Sequence, residues 1–339
     1  MTLQNVLNAT KETKLYDASA RPAVDVNIVC DEKDYPRMVA IINRLAKSPR
    51  GLETLQVAKT GDFEFGFFAD GEANGCYGAC DKAGNWVRLN PDASDDKLVG
   101  TLSHECRHAG QFIRGAHETF GKQDVKSELI MFRAMEADAQ TNAVTACYEL
   151  YQLGDKAPYE IFKSTYPEIE KAFHDALVAN NGLVDNRVMT EAFKGWYDQN
   201  GTKRAYERGY ELEPMEDEIA DLKAGKKPTL LYNEPFDTAE TVKMASYTDN
   251  GSYFVDDPKI LESGKYLDVA ESSMRIMKNF FEIRKTLTGL PVDKTLAELP
   301  VRPDYPPRNF YFQKTAAAAE YKTEKAVQVA LALKKNNGR

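Results

Sequence analysis

The sequence predicts an α+β fold: a small sheet with long helices up to about residue 153, followed by a mostly helical part. Three observations predict it. Short stretches of alternating or aromatic residues, typical of strands, are interleaved with helical periodicity in about the first 90 residues. Two long stretches of helical periodicity come next. Beyond Gly154, turn signals separate further helical segments, so we expect two domains, 1–153 and 154–339.

Local patterns justify the individual elements. Val24, Val26 and Ile28 alternate with polar residues, as in a half-buried strand. Ser94 is a good helix N-cap, and the acidic residues after it favour the positive end of a helix dipole. In chain order, the predicted elements are a strand at 22–31, helices at 38–45 and 52–57, strands at 63–68 and 85–90, helices at 95–114 and 125–153, and a last helix from Thr315.

Composition argues against two classes of partner and suggests a compartment. The net charge is −8, with 44 basic and 52 acidic residues, and neither half of the chain is basic, so we expect no nucleic-acid or membrane partner. No run of about 18 apolar residues and no secretory signal pattern is present. Five cysteines form a sparse, odd set that suits a reducing environment. We therefore expect a cytoplasmic protein, with export by a route without a cleaved signal as the alternative.

The first long helix carries the motif His104-Glu105-Cys106-Arg107-His108. Histidines at positions i and i+4 lie on one face of a helix, close enough to share a zinc ion. Glu105 lies about 100° further round the helix, where a carboxylate can act as a base towards a metal-activated water. The alternative is a surface helix with two solvated histidines. The apolar stripe of this helix argues against that alternative, because it predicts that the helix is at least half buried.

The second long helix offers a third ligand. Glu136 shares its helical face with apolar residues, and a carboxylate in that setting needs a partner such as a metal ion. Asp138 lies about 200° away, so we expect only one of these two acids to face the first helix, and the pattern favours Glu136. An ion pair with Arg107 or Arg133 is the alternative role for Glu136. His117 is a further, less suitable candidate ligand because it lies beyond the expected end of the helix.

These two helices resemble the gluzincin branch of zinc peptidases, in which a glutamate from the next long helix joins the H-E-x-x-H pair. The segment Glu136–Ala139, with the lead-in Leu89–Pro91, is also similar to a bacterial group of metallopeptidase domains of uncharacterised function. The resemblance covers about residues 22–153 and implies a zincin-like catalytic domain. Metzincins are excluded because Arg114 stands where their third histidine would be.

The resemblance implies further roles. Gluzincins place an aspartate four residues after the glutamate ligand to orient a histidine, but this chain has Gln140 there, a weaker orienter. Trp86–Asn90 would be the sheet edge that binds substrate as an added strand. A downstream histidine or tyrosine would stabilise the oxyanion. His174 is the only histidine left, although its sequence context favours a surface position, and 17 tyrosines leave no single candidate.

The sequence thus predicts a zinc-dependent peptidase. His104, His108 and Glu136 are the predicted ligands of Zn²⁺, Glu105 is the predicted catalytic base, and a peptide or protein is the predicted substrate. Two alternatives remain open. A zinc hydrolase that acts on a non-peptide amide would use the same residues. A non-catalytic helical interaction protein would retain the metal site without turnover.

Overall fold

A small mixed sheet and two long helices form the first half of the structure, a computed structural model that describes residues 16–17, 19–73, 75–116, 118 and 120–305. The α+β prediction is confirmed. The strands are β1 (Asn27–Ile28), β2 (Glu64–Phe67), β3 (Gly78–Asp81) and β4 (Trp86–Leu89). Their order in the sheet is β1-β2-β4-β3. β1, β2 and β4 run parallel, and β3 is antiparallel to β4 at one edge.

The helices account for most of the rest of the described chain. The first four are α1 (Tyr35–Leu45), α2 (Pro49–Thr60), α3 (Asp95–Ile113) and α4 (Val125–Gln152). After them come α5 (Ala157–Thr165), α6 (Pro167–Ala179), α7 (Asn186–Trp196), α8 (Asn200–Tyr206), a π-helical segment (Glu207–Leu212), α9 (Glu213–Lys223), α10 (Thr238–Ala245) and α11 (Glu271–Thr288). Four two-residue strands also lie in this half, β5 (Tyr247–Thr248), β6 (Gly251–Ser252), β7 (Val269–Ala270) and β8 (Val301–Arg302). The helix predicted from Thr315 lies outside the described residues.

The sheet corrects one prediction. Trp86–Leu89 is not a sheet edge, because β4 pairs with β2 on one side and with β3 on the other. β3 was missed because its residues, Gly-Ala-Cys-Asp, have no strand-like alternation of apolar and polar side chains. Its formation depends on pairing with β4 across a turn in which Asn85 adopts a positive φ of 53°. The edge strands of the described sheet are therefore β1 and β3, and β3 is the one that lies against Glu105 of α3.

Two caps and a shared core fix α3 and α4. Ser94 accepts a hydrogen bond from the backbone of Lys97, and Asp124 accepts one from the backbone of Ser127, so each helix begins where its cap residue predicts. Leu98, Leu102 and Ala109 of α3 are fully buried in an apolar cluster with the strands, and Phe112 is partly buried against the same cluster. α4 contributes to that apolar cluster through Ala146 and to a second cluster, formed with the later helices, through Val144. The division into domains at residue 153 stays a prediction.

A buried carboxylate secures the π-helical segment. Glu207 is 2% exposed and accepts hydrogen bonds from Arg133 of α4 and from elements late in the chain. These late partners are the backbone of Ala270, the hydroxyl of Ser273 and the guanidinium of Arg302. The segment is thereby tied to α4, α11 and β8. Within the described residues, no helix combines the length and apolarity that crossing a membrane requires.

Candidate metal centre

Two turns of α3 bring His104 and His108 together inside the protein. Their Nε2 atoms lie 3.0 Å apart, and each residue is 7% exposed. The prediction that both imidazoles are buried on one face of the helix is confirmed. His117, weighed as a further ligand, lies outside the described residues.

The carboxylate of Glu136, on α4, faces both imidazoles. Its Oε2 is 3.4 Å from Nε2 of His104, and its Oε1 is 3.5 Å from Nε2 of His108. Ligand atoms of a tetrahedral zinc ion, with bonds of about 2.0–2.2 Å, lie about 3.3–3.5 Å from one another. Oε2 of Glu136 is buried without a hydrogen-bond partner among the described residues. The donor types, their spacing and this unsatisfied oxygen all fit a metal ion of zinc's size.

The side chain of Glu105 lies next to the imidazoles of His104 and His108. Its carboxylate and the two imidazoles place one ligand-type atom each within 4.8 Å of one another, and the residue is 6% exposed. Burial raises the pKa of Glu105, the two histidines oppose that rise, and the negative charge of Glu136 adds to it. A hydrogen bond from the backbone N–H of Cys80, in β3, also favours the ionised form. The side chain is thus held between the imidazoles and the sheet edge.

A glycine allows the sheet edge to approach α3 closely. A Cβ atom at Gly78 would lie 2.6 Å from Cγ2 of Thr101, closer than real Cβ atoms come to a neighbour, and 3.0 Å from Cγ of Glu105, which is a tight contact. Glycine at this position of β3 therefore allows the short distance between the edge strand and Glu105.

The charges around His104, His108 and Glu136 favour the ionised form of the Glu136 carboxylate. Burial alone would lower the pKa of His108, but Glu136, Glu105 and Gln111 outweigh it and raise that pKa to about 9. Burial alone would raise the pKa of Glu136, but the two histidines outweigh it and the net pKa is lowered. Negative charge therefore persists on Glu136 despite complete burial. A cation at this point would be stabilised by the same carboxylate.

A hydrogen-bond relay orients His108. Nδ1 of His108 lies 2.8 Å from Oε1 of Gln111, and Nε2 of Gln111 donates to the carbonyl of Met135 (3.0 Å) and to Oδ2 of Asp138 (2.7 Å). Because two acceptors bind the NH₂ group of Gln111, its oxygen must face the histidine. Nδ1 of His108 therefore donates its proton to Gln111, and Nε2, on the side of Glu136, is the nitrogen that could bind a metal ion.

The relay overturns the expectation that only one of the two acids faces α3. Asp138 binds Arg107 of α3 through two hydrogen bonds of 2.6 and 3.0 Å, and it accepts another from Tyr253. The prediction assumed a single line of contact between the helices, but the long side chains of Arg107 and Gln111 reach round α3 to Asp138. The alternative ion pair of Glu136 with Arg107 is excluded, since Asp138 takes that arginine.

Gln140 does not take the orienting position that the resemblance implied. The side chain of Gln140 makes no hydrogen bond with any described residue, and Gln111 occupies Nδ1 of His108 instead. Sequence reasoning missed Gln111, although its spacing of three residues from His108 placed both on one side of the helix.

Tyr210 adds a hydroxyl to the site from the π-helical segment. Its O–H donates to Oε1 of Glu136 at 3.0 Å, and its ring stacks on Phe132 with centroids 4.7 Å apart. Loss of solvent around the hydroxyl, together with Glu136, raises the pKa of Tyr210 well above its usual value. His174, in contrast, is exposed on α6, as its sequence context predicted. Only the tertiary fold distinguishes Tyr210 from the other tyrosines.

A cavity of about 280 Å³ opens beside these residues. Its walls come from β3 and α3, and from α5 and the π-helical segment, so residues after 153 complete it. Besides the metal-site residues, the lining includes Cys80, Lys97, Pro158, Ile161, Tyr166 and Tyr206. The size is near the lower end of the range for ligand pockets in proteins.

One family model matches residues 22–222, more than half of the chain, and its description is "Putative metallopeptidase family (DUF6782)". The chain belongs to this family. The matched region contains α3, α4 and the segment with Tyr210. No curated protein and no solved structure gives a significant match. Membership in a metallopeptidase family indicates a metal cofactor, and the cluster of His104, Glu105 and His108 is a candidate site for it.

Proposed function

We propose that this protein is a zinc-dependent peptidase in which His104, His108 and Glu136 bind the metal and Glu105 is the catalytic base. One observation carries the proposal. The three proposed ligand side chains converge with separations of 3.0, 3.4 and 3.5 Å, and a second buried carboxylate, that of Glu105, lies beside them. A zinc ion held there would supply a Lewis acid that brings the pKa of a water molecule towards about 7.

Two side chains of the protein would carry out proton transfer and charge stabilisation. Glu105 would take a proton from the attacking water and later give it to the departing amine. Its raised pKa suits both steps, because a carboxylate that binds a proton more tightly than usual is a better base near neutral pH. Tyr210 would donate a hydrogen bond to the carbonyl oxygen as negative charge develops on it. The position of this hydroxyl supports the role, because it donates a hydrogen bond of 3.0 Å to Glu136, one of the proposed ligands.

β3 would hold the substrate. In the described sheet no further strand pairs with the outer side of Gly78–Asp81, and the backbone N–H of Cys80 in this strand donates to Glu105. A peptide could add to this edge as a further strand, with backbone hydrogen bonds that bring one of its peptide bonds to the metal site. The predicted role of a substrate-binding edge thus moves from Trp86–Asn90 to β3.

Metal content tests the ligand assignment. We expect about one zinc per wild-type chain by elemental mass spectrometry, and strong loss in His104→Ala and Glu136→Ala. His174→Ala is the matched histidine control, because this residue is exposed on α6, and Glu160→Gln, exposed on α5, is the control for removing a carboxylate. Both controls should retain the metal. Wild-type protein that binds no zinc after reconstitution would refute the proposal.

Activity tests the reaction. A peptide library, followed by mass spectrometry of the products, should reveal cleavage by zinc-loaded wild-type protein and none by Glu105→Gln. Full zinc binding without cleavage of any peptide would favour the non-catalytic alternative. Cleavage of simple amides with peptides left intact would favour a hydrolase of non-peptide substrates.

A further inference from the structure

Lys97 is a cation in the wall of the metal-site cavity. It lies in the first turn of α3, seven residues before His104. Seven residues are almost two full helical turns, so the two side chains leave the same face of the helix, about 10.5 Å apart along its axis. An extended peptide covers that distance in about three residues. A substrate bound at the metal therefore passes within reach of Lys97.

The neighbours of Lys97 are aromatic rather than acidic. Its Nζ lies 4.4 Å from the ring centre of Tyr77 and 4.8 Å from that of Tyr166. Among the described residues, no carboxylate forms an ion pair with it. The nearby acids are occupied by arginines: Arg37 binds Asp95, and Arg44 binds both Asp96 and Asp155.

A partly buried lysine without an ion pair among the described residues loses hydration without gaining a compensating charge. Burial lowers the pKa of Lys97 to about 8, and a smaller effect of Cys147 raises it. The pKa of Cys147 is itself raised to about 12 by burial, so this thiol supplies no negative charge near neutral pH. The two tyrosine rings stabilise the ammonium only in part. Because Lys97 lines the cavity, an anionic group of a bound ligand could reach its ammonium.

We propose that Lys97 binds a carboxylate of the substrate, and that the enzyme prefers peptides with a negative charge within about three residues of the cleaved bond. The carboxylate comes either from an Asp or Glu side chain or from a free C-terminus. In both cases the ammonium donates a charge-assisted hydrogen bond, and the cavity excludes much of the competing water. This proposal rests on the proposed peptidase function.

Two matched pairs of peptide hydroxamates test it, since the hydroxamate binds the metal without being cleaved. One pair differs only by Glu or Gln at the third residue from the hydroxamate, and the other by a C-terminal carboxylate or carboxamide. Titration calorimetry on the zinc-loaded full chain measures their Kd values. We expect the charged member of one pair to bind at least about tenfold more tightly. The pair that shows this difference identifies the source of the carboxylate.

Variants show whether Lys97 is responsible. Lys97→Met should bring the ratio of Kd values close to one, while Lys97→Arg keeps most of the preference. Lys171→Met is the matched control, because Lys171 is exposed on α6, and it should behave as the wild type. A wild-type protein that binds both members of both pairs equally would overturn the subsite while leaving the metal site intact. Absence of hydroxamate binding by the zinc-loaded protein would overturn the proposed function and the subsite with it.

Discussion

Replacing Gln111 by methionine should weaken metal binding without unfolding the protein. The substitution removes the acceptor for Nδ1–H of His108 and two hydrogen bonds to α4. At about 1 kcal/mol for each bond, the free energy of unfolding falls by about 3 kcal/mol. A typical domain has about 5–15 kcal/mol available. Loss of an orienting partner reduces metal affinity by about 10- to 100-fold, or about 1.4–2.7 kcal/mol.

The assay is a zinc titration in competition with a chelating dye, on protein whose folding is checked by circular dichroism. Gln140→Met is the control, because that residue lies in the same cavity but makes no hydrogen bond with any described residue. We expect its zinc affinity to stay within about threefold of the wild type, well below the loss at Gln111. The reasoning fails if Gln111→Met binds zinc within twofold of the wild type, or if the two variants lose affinity equally.

Three further predictions concern the reaction. Glu105→Gln should keep zinc but lower kcat by about 10²- to 10⁴-fold, as measured by peptide cleavage; near-wild-type turnover would remove Glu105 from the role of base. Tyr210→Phe should lower kcat by about 10²- to 10³-fold at unchanged zinc content, whereas Tyr206→Phe, its stacking neighbour, should not. Equal effects would assign Tyr210 a packing role. The preference for a carboxylate should fade as pH rises through about 8, because Lys97 loses its charge there while the thiol facing it stays neutral. A preference that is constant from pH 7 to about 9.5 would contradict that assignment.

The two helices of the candidate metal site, α3 and α4, could be predicted because their signals are local. His104 and His108 are one helical turn apart, and Ser94 marks where the helix begins. Glu136 could be predicted for the same reason, since an acid within an apolar helical face requires a partner. These inferences need only the geometry of a single helix, and the structure places all three side chains within 3.5 Å of one another.

The rest of the site depends on contacts between distant parts of the chain. β3 has no strand-like pattern and forms only because β4 offers it a partner. Asp138 binds Arg107 because two long side chains reach round a helix, which a helical wheel does not represent. Tyr210 lies 74 residues from Glu136 in the sequence. It belongs to a π-helical segment, in which side chains point in different directions from those that α-helical periodicity predicts. Sequence spacing alone does not predict contacts between residues this far apart in the chain.

The hydrogen bonds of Glu207 determine how much of the chain the candidate site requires. Similarity to the family ends at residue 222, yet three hydrogen-bond partners of this buried carboxylate come from 270, 273 and 302. Glu207 opens the same short segment that carries Tyr210, three residues later. A protein shortened to the region of similarity would lose these three donors, and with them the contacts that tie the segment carrying Tyr210 to α11 and β8. The unit that must be expressed to obtain an intact site is therefore longer than the unit that homology outlines.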